Sequence, residues 1–156
     1  MFVIYVGDSK NIVNRIRANH CSGNVESSAM RRHIAEAKGY TFKRSRRTGG
    51  AMRVRIDLPN PREGEADVSR YIRSGRWKYV ICDSDDEARD FQWYAIDHLR
   101  PILNKDGRSW KKENVSRFEK LLRALEGAEA LSCDQLKGRQ SGPGVYVFLH
   151  EHRPEG

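Results

Sequence analysis

The chain has 156 residues and a formal net charge of +8 at pH 7. This length suits one domain with its own core and leaves little room for two. Apolar residues make up 38% and charged residues 32%, which excludes a disordered chain, and no apolar run is long enough to span a bilayer. With no signal-peptide pattern at the amino terminus, we expect a single cytoplasmic domain over residues 1–156.

The first half of the chain alternates strand and helix patterns. Residues 2–6 are a β-branched and aromatic run closed by Gly7, which predicts a strand. A helix capped by Asp8 or Ser9 then extends to about His20. The segment 27–39 opens with serines and closes with a glycine, which predicts a second helix.

A basic segment follows at residues 38–55. It holds seven Lys or Arg and no Asp or Glu. The pattern is typical of a loop or a basic hairpin around Gly49-Gly50, with an alternating strand over 52–58. Clustered positive charge indicates a polyanion partner, although a solvated basic loop without a partner has the same composition.

The second half predicts two strands and three helices. A short helix over 64–75 precedes a buried strand at 77–83. A helix capped by Asp83 or Ser84 ends at Pro101, and apolar residues at helical spacing predict another over 116–128. A polar linker at 137–143 then leads to a carboxyl-terminal strand at 144–150.

The three cysteines, Cys21, Cys82 and Cys133, are far apart and have no CxxC spacing. An odd number without such a spacing argues against a disulfide framework and against a zinc site. The sequence therefore predicts free thiols in a reducing compartment.

Three separated motifs together resemble the GIY-YIG nuclease family. They are the YVG of Tyr5 to Gly7, an arginine ten residues after that tyrosine (Arg15), and a helix that ends in PxxN at Pro101 and Asn104. In that family a metal-binding glutamate stands twelve residues before the asparagine. Here that position is Gln92, a glutamine on the apolar side of its helix.

The family also places a GIY strand shortly before the YIG strand, whereas this chain has GVY at its carboxyl end, with Tyr146. Joining the two ends would leave fourteen residues between the two tyrosines. We therefore predict a circularly permuted domain in which the strands at 2–6 and 144–150 pair antiparallel. The chain would be a monomer or a homodimer, and a dimer that exchanges the last strand stays open.

The resemblance also implies roles for individual residues. Tyr5 or Tyr146 would orient or deprotonate the attacking water, with Lys10 or Arg15 as the nearby positive charge. Arg15 would donate to the phosphate in the transition state, and Asn104 would hold the loops of the site. His20 lies one residue later than a histidine found in some members, which leaves its role open.

A single divalent cation, Mg²⁺ or Mn²⁺, is the cofactor that the resemblance implies. Its ligand position is Gln92, and glutamine lacks the negative charge that a hard cation needs. Two interpretations follow: an inactivated form of an active nuclease, which we favour, or a natural member that binds nucleic acid without cutting it.

We therefore predict a small α+β domain in which a three-stranded antiparallel sheet is flanked by helices. Its function would be metal-dependent cleavage of duplex DNA of the restriction type. A DNA repair or junction nuclease and a non-catalytic nucleic-acid-binding protein are the alternatives. The expected DNA contacts are the cations Arg31, Arg32, Lys43, Arg44, Arg46, Arg47, Arg53 and Arg55, and no membrane contact is expected.

Overall fold

Three antiparallel strands form the central sheet of the computed structural model, which describes residues 1–155. β1 (Phe2–Ser9) and β4 (Arg76–Ile81) lie on either side of β5 (Gly144–His150). β5 has a strand on each edge and an apolar layer on each face, which explains its nearly continuous apolar sequence. The predicted α+β class with a small antiparallel sheet is confirmed.

The two end strands of the sequence pair with each other within one chain. Gly7 lies opposite Tyr146 and Ser9 opposite Gly144. An irregularity in the pairing between Val3 and Tyr5 leaves Ile4 without a partner, so Ile4 and Tyr5 both contact the same core. This is the pairing that a permuted domain requires, while the permutation itself and the exchanged dimer stay predictions.

The helices begin and end close to their predicted limits, with one exception. The expected first helix is a single α-helical turn, α1 (Ile12–Asn14), that continues as a π-helical segment (Arg15–Cys21). The remaining helices are α2 (Ala29–Ala37), α3 (Pro61–Arg73), α4 (Asp85–Leu99) and α5 (Val115–Glu126), with short 3₁₀ turns at Lys112–Asn114 and Asp134–Leu136. None of the helices within residues 1–155 is long and apolar enough to cross a membrane.

Side-chain oxygens cap four of these helices, and the cap of α1 is Asn11, which accepts from the Asn14 N–H. Ser28, Asn60 and Ser84 accept hydrogen bonds from the first-turn N–H groups of α2, α3 and α4. At the other end of α4, Arg100 takes a left-handed conformation (φ 49°) before Pro101, which stops the helix where the sequence predicted.

The sheet separates two apolar layers. On one face Ile4, Tyr146 and Phe148 contact the π-helical segment, α2 and α3. On the other face Val6 and Val145 contact α4 and α5. The alternation of side chains along β1 and β5 therefore decides which residues can reach a common site.

The basic segment forms a hairpin outside the main sheet. β2 (Phe42–Arg46) and β3 (Met52–Ile56) pair antiparallel, and Gly50, with φ +91°, lies in the connecting turn. Of the two predicted alternatives, loop and hairpin, the hairpin is thus the correct one. We call residues 42–56 the basic ribbon.

The prediction of free thiols is wrong for two of the three cysteines. Cys21, at the end of the π-helical segment, forms a disulfide with Cys133, and their Cα atoms are 6.3 Å apart. The sequence separation of 112 residues hides this pairing, because only the fold brings the two side chains together. Cys82 alone is a free thiol, and it is buried.

Candidate active site

The two motif tyrosines lie next to each other on β1 and β5. Their ring centroids are 6.4 Å apart, with Tyr146 buried and Tyr5 partly exposed. A Cβ atom at Gly7 would overlap the Tyr146 hydroxyl, so glycine at this position makes room for the ring. The pairing of the two strands thus places both phenol groups at one site.

His20 reaches the same site because the segment that carries it is π-helical. In a π-helix, hydrogen bonds of the i→i+5 type align residues that are five positions apart, just as an α-helix aligns residues that are four positions apart. Arg15 and His20 therefore lie on one face, although the spacing is one residue longer than in the family. Because a π-helical turn holds more residues than an α-helical turn, His20 faces the site despite the additional residue between it and Arg15.

A buried hydrogen-bond chain joins His20 to Tyr146. The His20 Nε2 atom is 2.5 Å from the Tyr146 hydroxyl, and Nδ1 is 2.7 Å from Ser28 Oγ. Ser28 Oγ already accepts the Arg31 N–H as a helix cap. The arrangement that satisfies every group has Ser28 donating to Nδ1 and the Nε2–H donating to the Tyr146 oxygen. The hydroxyl proton of Tyr146 is then not used in the bond to His20.

Arg15 supplies positive charge beside both phenols. Its guanidinium donates to the Ser27 carbonyl at 3.0 Å and is half-buried. Burial raises the pKa of both tyrosines above the usual value, and the positive charge of Arg15 opposes that rise. Arg32, on α2, also lowers the pKa of Tyr5, so two cations lie near the partly exposed tyrosine.

Asp8 belongs to this site, although the sequence indicated only a helix cap. Burial raises the pKa of its half-buried carboxyl, while the charges of Arg89 and Arg15 lower it. The sequence signal for placing Asp8 at the site was its position directly after the YVG motif. Lys10, by contrast, is exposed, its Nζ lies 3.8 Å from Asp85 Oδ2, and its charge is not among those that shift the pKa of Tyr5.

Asn104 fastens the segment after α4 to the free edge of β1. Its side-chain oxygen accepts from the Val6 N–H and its amide donates to the Val6 carbonyl, both at 2.9 Å. Two backbone hydrogen bonds, from Ile102 to Val3 and from Leu103 to Ile4, extend this contact. The strand that carries Tyr5 is therefore held on both edges.

Gln92 lies on a helix, α4, that covers the other face of the sheet from Tyr146. The buried side of α4 contacts Val6 and Val145 on that face. Its side chain is half-buried, and no hydrogen bond among residues 1–155 links it to Tyr5, Tyr146 or Arg15.

These residues do not fit the divalent cation that the sequence implied. A hard cation takes oxygen ligands and prefers carboxylates, whereas Gln92 offers one neutral amide. Within residues 1–155 no group of three or more His, Cys, Asp or Glu is placed to hold a metal ion. The carboxylate whose charge acts on both tyrosines, that of Asp8, is itself acted on by the charges of Arg89 and Arg15.

The predicted DNA-contacting cations fall into three groups. Arg31 is fully buried, where it pairs with Glu65 at 3.0 Å and donates to the His20 carbonyl, so it supports the core and cannot contact DNA. Arg32 lies near Tyr5. The others belong to the basic ribbon: Lys43, Arg44, Arg46, Arg47, Arg53 and Arg55.

Glu26 holds the basic ribbon against the domain. Its carboxylate accepts from the Val54 N–H at 3.1 Å and pairs with Arg47 and Arg55. The Val54 hydrogen bond and these two charges hold the pKa of Glu26 below its usual value. Three arginines of the ribbon are exposed and have no ion-pair partner within residues 1–155: Arg44, Arg46 and Arg53.

The buried His20 predicts a stability that depends on pH. Burial, with the charges of Arg15 and Arg31, holds its pKa well below 6.5. Its contribution is therefore complete above pH 6.5 and is lost as the pH falls toward the folded-state pKa, by up to about 1.4 kcal/mol per pH unit. Urea unfolding should show a free energy about 2 kcal/mol lower at pH 5 than at pH 7.

The His20→Gln variant isolates this effect. It should be less stable at pH 7 but should lose less stability between pH 7 and pH 5 than the unchanged protein. The residual slope comes from groups such as His150, whose pKa burial also lowers. Equal slopes in the two proteins would show that His20 is not held neutral in the folded state.

Comparison with known proteins identifies one family. The family model described as the GIY-YIG catalytic domain matches residues 1–125. This range contains Tyr5, Arg15, Gln92 and Asn104 and ends before β5. No curated protein and no solved structure matches the chain.

Proposed function

The chain belongs to the GIY-YIG catalytic domain family, and on this premise we propose that it is an endonuclease of duplex DNA in which Gln92 suppresses the cleavage activity. One observation carries the proposal: Tyr5, Tyr146, His20 and Arg15 form a single cluster where β1 and β5 pair. Phosphodiester cleavage needs such a group, with an acid–base side chain beside a donor for the charged phosphate.

Each residue of this cluster has a separate role in phosphate binding or cleavage. Arg15 donates to the phosphate oxygens with a planar fork that matches the anion. Tyr146, fixed by His20, presents its hydroxyl from a buried position, while the partly exposed Tyr5 meets the phosphate or the attacking water. In members that bind a divalent cation, the cation supplies charge neutralisation and water activation. Gln92 removes the ligand for it, so the cluster binds the phosphate but cleaves slowly or not at all.

The basic ribbon supports duplex DNA as the substrate. Five residues per strand give a ribbon roughly 17 Å long, and a two-stranded ribbon fits the major groove of B-DNA. Its three unpaired arginines, Arg44, Arg46 and Arg53, can contact phosphates or the edges of guanines. A groove-reading element beside a cleavage cluster suits a restriction-type nuclease better than a junction nuclease. Cytoplasmic location stays part of this proposal.

Restoring the carboxylate tests the proposal. The Gln92→Glu protein should cleave plasmid DNA with Mg²⁺ or Mn²⁺, whereas the unchanged protein should show little or no cleavage. The matched control is Gln92→Leu, which keeps a similar volume without charge and should leave the plasmid intact.

Two results would count against the nuclease assignment. If the Gln92→Glu protein leaves the plasmid intact under all metal conditions, the second candidate function, DNA binding without cleavage, is favoured. The missing carboxylate at position 92 supports this second candidate. Cleavage by the unchanged protein at the rate of the Gln92→Glu protein would show that Gln92 does not suppress the activity.

Salt dependence tests the role of the basic ribbon. Binding to a duplex should weaken steeply with salt, because each neutralised phosphate releases counterions. Replacing Arg44, Arg46 and Arg53 by alanine should reduce the slope of log affinity against log salt by about three. A triple alanine variant of Lys120, Arg123 and Arg139 removes the same charge elsewhere and should leave the slope nearly unchanged. Equal slopes for the two triple variants would remove the ribbon from the interface.

A further inference from the structure

The segment 105–114 lies on the side of α4 that faces away from the sheet. Trp110 fixes this segment to the helix, because its ring contacts that of Tyr94 edge to face, with the centroids 4.7 Å apart. The Asp90 carboxylate also accepts the Lys111 N–H at 3.1 Å. The segment is therefore anchored at its carboxyl end.

Trp93 and Trp110 are both half-buried, whereas Trp77 is fully buried. Trp110 packs on the rings of Tyr94 and Phe118. Trp93 makes no ring–ring contact within residues 1–155, and its ring faces the Arg108 guanidinium at 5.3 Å. Arg108 is exposed and has no acidic partner within residues 1–155, so packing and charge pairing leave its position unexplained.

Two open concavities border this pair. One, of about 400 Å³, extends from Trp93 to Asn104; the other, of about 390 Å³, extends from Trp93 to Arg89. Both sizes are within the range of small-ligand sites. Asn104 bonds to the strand that carries Tyr5, and the charge of Arg89 acts on Asp8, so each concavity has one lining residue that contacts or acts on β1.

The lining suits a nucleotide that presents its base to the ring. Cations that can meet backbone phosphates border the concavities, among them Arg89, Arg100 and Lys105, and the carboxylates of Asp90 and Asp97 stand beside the aromatic ring. A flat π-system stacks on an indole and a guanidinium, and carboxylates accept hydrogen bonds from exocyclic amino groups. These two features together match a nucleobase that has left the base stack.

We propose that Trp93 and Arg108 form a stacking platform for one unpaired nucleobase of the bound DNA. The inference rests on the proposed function, because it places the base within a DNA complex. It adds a substrate class: a duplex with a base that is extruded or already unpaired. Recognition by stacking tolerates any base, while the carboxylates prefer those that carry an amino group.

Paired binding measurements test the platform with the full chain and its Gln92 unchanged. The probes are a duplex with one bulged adenine, the same duplex with an abasic spacer in the bulge, and the fully paired duplex. The chain should bind the adenine bulge about tenfold or more tighter than the abasic bulge, the effect of one base–aromatic stack. Trp93→Ala and Arg108→Ala should each abolish most of this preference and leave the affinity for the paired duplex unchanged.

Two further variants separate stacking from charge and from folding. Arg108→Lys keeps the charge but loses the planar group, and it should lose the preference as Arg108→Ala does. Arg139→Ala, which removes one exposed charge elsewhere, should keep it. Tryptophan fluorescence should fall on binding the adenine bulge, and this fall should disappear in Trp93→Phe.

The outcomes distinguish this inference from the proposed function. Equal affinity of the unchanged chain for adenine and abasic bulges would overturn the platform while leaving duplex binding intact. A preference that survives both Trp93→Ala and Arg108→Ala would overturn it as well. Failure to bind any of the three duplexes would instead overturn the proposed function on which it rests.

Discussion

Replacing Arg15 by alanine in the Gln92→Glu protein is expected to lower the rate of DNA cleavage by about 10²- to 10³-fold. Arg15 is the cation that acts on both tyrosines, and its guanidinium is fixed by the Ser27 carbonyl at 3.0 Å. A fixed donor stabilises the charge that develops on the phosphate without reorganising, and its removal costs that stabilisation in the transition state. Single-turnover cleavage of a defined duplex measures the effect directly.

Two companion variants show whether geometry or charge is lost. Arg15→Lys keeps the charge but cannot donate two parallel hydrogen bonds, so it should recover only a small part of the rate. Arg17→Ala changes an exposed arginine of the same π-helical segment, and it should leave the single-turnover rate within a few-fold of the parent. If Arg15→Ala and Arg17→Ala slowed cleavage equally, the segment would act only through its overall charge.

The pairing of β1 with β5, which brings the two tyrosines together, could be predicted from the sequence. YVG and GVY are short β-branched and aromatic runs bounded by glycine, and their resemblance to a known hairpin gave the partner of each strand. Period-two alternation then places Gly7 opposite Tyr146 once the register is known. These features depend on local sequence, so their prediction needed no knowledge of the remaining chain.

The π-helical segment could not be predicted from the same local patterns. Ile12, Val13 and Ile16 suit an ordinary α-helix, and the wider turn becomes favourable because it buries His20 against Trp77 and Tyr146 at the same time. The buried position of Arg31 has a similar origin. Its partner Glu65 lies on α3, and nothing near Arg31 in the sequence separates it from its exposed neighbour Arg32.

The position of Gln92 was predicted by counting from Asn104, and the helix that carries it is present. Which face of the sheet α4 covers could not be predicted from local sequence, and the helix packs with Val6 on the face opposite Tyr146. The segment after α4 reaches the edge of β1 that does not pair with β5, where Asn104 binds Val6.

Replacing either tyrosine by phenylalanine is expected to slow cleavage by the Gln92→Glu protein by about 10²- to 10⁴-fold, but only Tyr146→Phe should also destabilise the fold. The Tyr146 oxygen is the partner of the buried His20 Nε2 atom at 2.5 Å. Without it, that polar group is left unpaired in the core, which costs about 1–3 kcal/mol of unfolding free energy. Tyr5 is partly exposed and makes no such bond, so its hydroxyl contributes to activity alone. Urea unfolding and single-turnover cleavage of the same variants separate the two effects.

A double variant identifies the partner through which Tyr146 acts on stability. If the hydroxyl stabilises the fold through His20, Tyr146→Phe should cost much less in a His20→Phe background than in the parent, because both ends of the bond are then absent. A cost that is the same in both backgrounds would assign the loss to the Tyr146 ring and its neighbours. Tyr5→Phe provides the reference for the loss of a hydroxyl at this site, since it should leave the unfolding free energy within about 0.5 kcal/mol of the parent.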